Sequence, residues 1–63
     1  MKVRIKSYNS ELPQYLTEGK GYEIEYMMNS TFFITTDLDD PEYISISLVN
    51  CDHLNGGEWE LVE

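Results

Sequence analysis

Among the 63 residues there is only one cysteine, Cys51. No internal disulfide can form, and a small secreted domain would usually need several. No run approaches the roughly 20 apolar residues that a membrane span requires. No stretch of about ten residues or more carries the apolar spacing of an amphipathic helix, which disfavours a sheet packed on a helix. No basic residue occurs after Lys20. The opening Met1-Lys2-Val3-Arg4-Ile5-Lys6 alternates charge with hydrophobe and lacks the apolar centre of a signal peptide. A reducing cytoplasm is the expected location.

The charge that is present is unevenly placed. The first 20 residues hold all four bases and two acids; residues 21–63 hold ten acids and no base, within a net charge of −8. Phosphate recognition needs clustered Lys and Arg, so direct binding to nucleic acid or to an anionic membrane is not expected. A protein partner with a basic surface suits the acidic segment better. The plainer explanation is that acidity keeps a small domain soluble.

A chain this short buries only about 60% of its unfolded surface, so each core residue matters. Five tyrosines, two phenylalanines and one tryptophan supply the necessary large side chains. Their spacing is that of strands. Val3 and Ile5 alternate with Lys2, Arg4 and Lys6. Ser7 to Thr17 reads as a long loop, with turn formers Asn9-Ser10 and Pro13. Gly19 and Gly21 supply unusual dihedrals at its exit.

Tyr22, Ile24 and Tyr26 then alternate as inward residues with outward Glu23 and Glu25. Met28-Asn29-Ser30 is a turn, and Thr31–Thr36 a β-branched and aromatic strand. In it Phe32 and Ile34 share one face and Phe33 takes the other. Asp37-Leu38-Asp39-Asp40-Pro41 is a turn cluster. Tyr43–Leu48 places Ile44, Ile46 and Leu48 inward. Asn50 to Gly57 forms a loop with one tight helical turn near Cys51–Leu54. A closing strand points Trp59 and Leu61 inward. The expected fold is all-β: one domain, a small five-stranded barrel with a long first loop and a one-turn helical connector before the last strand. Closure would remove the exposed strand edges.

The order of a short first strand, a long loop and a Leu-x-x-Gly-x-x-Tyr-x-Ile entry to the second strand resembles SH3-like barrels. Leu16, Gly19, Tyr22 and Ile24 carry that entry. With the Met1-Lys2-Val3-Arg4 opening, the chain also resembles small SH3-like proteins of phages and prophages. The resemblance implies an accessory or host-interaction protein acting in the bacterial cytoplasm. The first loop lacks the Ala-Leu-Tyr-Asp-Tyr-like segment of signalling SH3 domains. The single Trp59 falls on the last strand, so polyproline recognition is not implied. Tyr8 and Tyr15 remain groove candidates, with ordinary loop packing as the simpler role.

No catalytic set is apparent. Asp37, Asp39, Asp40 and Glu42 form the densest acidic cluster, yet they lack the central glycine and distal glutamate of an EF-hand loop. A solvated turn bonded to local amides is the simpler reading. Cys51 and His53 are too few for zinc and badly spaced for Cys–His catalysis. Gly56-Gly57 has neither the helix nor the lysine of a phosphate loop. Outward carboxylates such as Glu23/Glu25 lack the desolvation that a general acid needs.

Neither a metal nor a cofactor is expected, and no enzymatic activity. Two functions are consistent with the sequence. One is a non-enzymatic protein-interaction module using Tyr8, Tyr15, Phe33, Tyr43 and Val49. The other is an acidic mimic of nucleic acid, presenting Glu23, Glu25, Asp37, Asp39, Asp40, Glu42, Glu58 and Glu60 in place of phosphates. Self-association through an exposed edge strand is a further expectation.

Overall fold

The alternation of Val3 and Ile5 with charged neighbours builds the first strand, β1 (Lys2–Ser7). A computed structural model describes residues 1–62 and continues with β2 (Tyr22–Glu23), β3 (Tyr26–Met28), β4 (Thr31–Thr35) and β5 (Tyr43–Ile46). A single turn of 3-10 helix (Asp52–Leu54) leads to β6 (Glu58–Val62). The strands form two antiparallel three-stranded sheets, ordered β2-β1-β6 and β3-β4-β5. The fold is thus all-β with almost no helix, and the ladders do not run on into one closed barrel.

The expected continuous strand over Tyr22–Tyr26 is instead broken between the sheets. The Ile24 N–H donates to Met1 O at 3.0 Å, on the first sheet. The next amide, Glu25 N–H, donates to Phe33 O at 2.8 Å, on the second. Register then pairs Tyr26 with Phe33 and Met27 with Phe32. Tyr22 and Ile24 therefore point inward but Tyr26 does not, a one-residue slip of the kind a bulge produces. Tyr26, expected in the core, is 48% exposed.

The β3–β4 connection is a two-residue hairpin loop. Asn29 (φ 49°) and Ser30 (φ 67°) both adopt positive φ, as the turn matching strand twist requires. At the exit of the first loop, only Gly19 (φ 85°) of the two expected glycines needs the left-handed region. It sits third in a turn closed by Lys20 N–H to Thr17 O at 3.4 Å.

The core lies between the inner sheet faces. Val3, Ile5, Tyr22 and Trp59 come from the first sheet and Ile34 and Ile46 from the second. Leu16 enters from the long loop, and Cys51 and Leu54 from the connector. Each such apolar side chain contributes roughly 1.5–3 kcal/mol of transfer energy. Leu61, expected inward, is 49% exposed at the margin of the first sheet. One bond links the far ends of the sheets, from Trp59 N–H to Leu48 O at 2.9 Å.

Gly57 marks the tightest backbone approach. A Cβ built there would lie 2.2 Å from Ser7 O and 2.7 Å from Tyr8 Cα. This crossing coincides with the register shift between Ile5 and Ser7 in the β1–β6 pair. We expect Gly57→Ala to cost about 3 kcal/mol, the upper end for overpacking. Gly21→Ala, whose Cβ would meet only the Lys2 side chain at 3.4 Å, is expected to be tolerated. Urea denaturation of both variants checks the contrast; equal stability would refute the assignment of Gly57.

Candidate functional site

The sequence slip at Glu25 gathers aromatic side chains on the outer face of the second sheet. Tyr26 and Phe33 face each other across β3–β4, their rings stacked 4.5 Å apart and 10° from parallel. Tyr43 lies diagonally across β4–β5, 6.2 Å from Tyr26 at 61°. It is 62% exposed. Alternation in β4 and β5 reveals Phe33 and Tyr43, respectively, as outward residues, and both are brought together here. Tyr26 was missed because its own sequence neighbours continue the inward phase; only the cross-strand register discloses it.

Tyr8 and Tyr15 do not join this surface. Both pack against the core cluster. The Tyr8 hydroxyl donates to Glu18 Oε1 at 3.2 Å, and that bond raises its pKa. The Tyr15 hydroxyl and His53 Nδ1 share a hydrogen bond at 2.8 Å, with the rings edge to face. That pair lines a pocket of about 220 Å³ with Thr36, Leu38, Glu42 and Ile44. Val49 lies elsewhere, in a shallow groove of about 670 Å³ with Phe32, Leu48 and the Ser30 hairpin tip.

The carboxylates divide into occupied and free. Arg4 donates to Glu60 Oε2 from Nε at 3.1 Å and Nη2 at 2.9 Å. Lys6 Nζ is 3.7 Å from Glu58, and the first amino group 3.6 Å from Glu23. These are exposed pairs, each worth at most about 1 kcal/mol. They nonetheless neutralise the outer face of the first sheet. Glu25, Asp39, Asp40 and Glu42 are exposed, with no ion pair among the described residues.

Asp37 is turned inward to a structural task. Its Oδ2 accepts from Thr17 Oγ1 and from the Tyr22 hydroxyl, both at 2.7 Å, and Lys20 Nζ bonds Oδ1. Its N–H donates to Tyr15 O at 3.0 Å. The Tyr22 hydroxyl in turn accepts from Thr17 N–H at 2.7 Å. The side chain of Asp37 is only 18% exposed, so it ties the long first loop to the β4–β5 turn. Burial pushes its pKa up, but the bonds from Lys20, Thr17 and Tyr22 and the lysine charge outweigh that and hold it below the usual value.

Cys51 is buried, and its Sγ accepts the Trp59 indole N–H at 3.3 Å. Among the described residues, no group of three His, Cys, Asp or Glu side chains could hold a metal ion. No helix there is long and apolar enough to cross a membrane. Compared with protein-family models, curated proteins and solved structures, the chain matches none.

Burial, and then the bond to Asp37, pushes the Tyr22 hydroxyl up to about 12 from 10.0. A raised folded pKa favours the protonated form, so this stability is complete below pH 10 and is lost as pH rises toward 12. The difference corresponds to about 2–3 kcal/mol. The lowered Asp37 pKa acts oppositely: its stability is present above the ordinary carboxylate range and lost as pH falls through the folded value. We expect Tyr22→Phe to flatten the alkaline loss while costing about 1–2 kcal/mol at neutral pH. Denaturation curves between pH 7 and 12 check this; an unchanged alkaline limb would refute it.

Proposed function

We propose that this chain is a small non-enzymatic protein-interaction module, and that its contact surface is the outer face of the second sheet. The observation that carries the reading is the outer-face aromatic cluster in which Tyr26 and Tyr43 are exposed around half-buried Phe33. Aromatic side chains presenting large rigid area dominate the energetics of protein interfaces. Exposed apolar groups gathered into one patch call for a partner more than scattered ones do. Cys51 and His53 support the non-enzymatic reading, since one is buried against Trp59 and the other is bonded to Tyr15.

The five-stranded SH3-like barrel belongs to the same proposal. Counting β2 and β3 as one bent strand gives five strands. The consecutive amides of Ile24 and Glu25, with the Trp59–Leu48 bond, support a barrel-like arrangement. A phage or prophage source and a cytoplasmic setting are part of the reading too, supported by the resemblance of the Met1–Arg4 and Leu16–Ile24 segments. Nucleic-acid mimicry has weaker support. Glu23, Glu58, Glu60 and Asp37 are paired with cations, which interrupts any phosphate-like series.

The test compares tagged wild-type and variant chains in pull-downs from bacterial lysate, identified by mass spectrometry. A protein captured by the wild type is expected to be lost from Tyr26→Ala/Tyr43→Ala. Circular dichroism would verify that this variant stays folded, since loss of the exposed ring contacts costs only about 0.5–1.5 kcal/mol. The Glu23→Gln/Glu58→Gln/Glu60→Gln variant is expected to retain it. The opposite pattern, with salt-sensitive capture, would overturn the reading in favour of mimicry.

A further inference from the structure

Resting on that reading of the aromatic face, we propose that its occupant is an arginine-bearing segment of a partner protein. Three observations converge on this face. The rings offer exposed π surface: Tyr26, stacked on half-buried Phe33, is 48% exposed, and Tyr43, at 61° beside it, is 62% exposed. The acid next to those rings is free: exposed Glu25 adjoins Tyr26 at the slip, and its N–H donates to the O of Phe33, the residue that also pairs with Tyr26. Neither this acid nor the rings meet a cation from this chain among the described residues.

The missing cations are accounted for by topology. Lys2, Arg4 and Lys6 lie on β1 of the first sheet, where Arg4 and Lys6 meet Glu60 and Glu58. Lys20 is held by Asp37, with its ammonium 5.0 Å from the Tyr22 ring centre. The outer face of the second sheet therefore combines π faces with an unneutralised carboxylate, Glu25, and supplies no counter-charge of its own. Such a face repels phosphate and attracts cations.

Arginine fits it better than lysine for a chemical reason. A guanidinium is planar and weakly hydrated, so it can lie flat on a tyrosine while its edge N–H groups point outward to carboxylates. An ammonium is compact and strongly hydrated and has no plane to stack. Selection for arginine, rather than for positive charge in general, is the distinguishing claim.

The test titrates the whole chain with an octapeptide of alternating glycine and arginine, followed by NMR of the aromatic rings. Matched peptides carry lysine or neutral citrulline instead. The arginine peptide is expected to shift the Tyr26, Phe33 and Tyr43 signals. It should bind about tenfold more tightly than the lysine peptide, with citrulline weaker still. Tyr43→Ala should abolish these shifts, and Glu25→Gln should weaken binding several-fold.

Equal binding of the arginine and lysine peptides would overturn the proposal. So would undiminished binding of citrulline, shifts confined to Trp59 of β6, or no binding at millimolar peptide. If any of these occurs while the captured partner still depends on Tyr26 and Tyr43, the face remains the contact surface and only the arginine assignment falls. If capture is indifferent to those tyrosines, the surface reading itself falls.

Discussion

Two neighbouring amides, those of Ile24 and Glu25, donate to opposite sheets. Successive N–H groups of an extended chain point in opposite directions, and because these two reach different sheets the chain bends between them as it passes from one to the other. The rest of this small fold follows from that bend. Before it, Tyr22 and Ile24 fill the interior. After it, the phase has slipped by one and Tyr26 faces outward onto Phe33. The same backbone event closes one side of the core and creates the surface aromatic cluster.

The strands built on clean alternation were readable in the sequence. Val3/Ile5, Ile44/Ile46 and Trp59 fall where their spacing puts them, and the helical turn before the last strand lies at Asp52–Leu54. The outward placement of Phe33 and Tyr43 was readable for the same reason. Local alternation could not reveal the slip after Ile24, because a register is fixed by the partner strand. It could not reveal Asp37 either. That residue reads as part of a polar turn, whereas Thr17, Lys20 and Tyr22, which engage it, lie 15 to 20 positions away. Gly57 resembles an ordinary turn glycine until the backbone of Ser7 and Tyr8 is laid across it.

The uneven charge of the sequence becomes a division of labour between sheets. Bases and acids meet on the first sheet as cross-strand pairs, Arg4 opposite Glu60 among them. That surface is electrically quiet. On the second sheet Glu25 has no such neighbour and stands beside Tyr26. A single net charge for the molecule conceals this contrast. Only on the second does unpaired negative charge coincide with exposed aromatic side chains.

The pairing of β1 with β6 also sets an order in time. Arg4 and Glu60 are 56 positions apart, while β3, β4 and β5 are joined by connections of two and seven residues. Bringing distant segments together forfeits more chain entropy than closing a hairpin. The second sheet can therefore assemble from its own neighbourhood, whereas the first waits for nearly the whole chain. The aromatic face belongs to the part of the molecule that organises locally, and the backbone crossing at Gly57 belongs to the part that locks it in place.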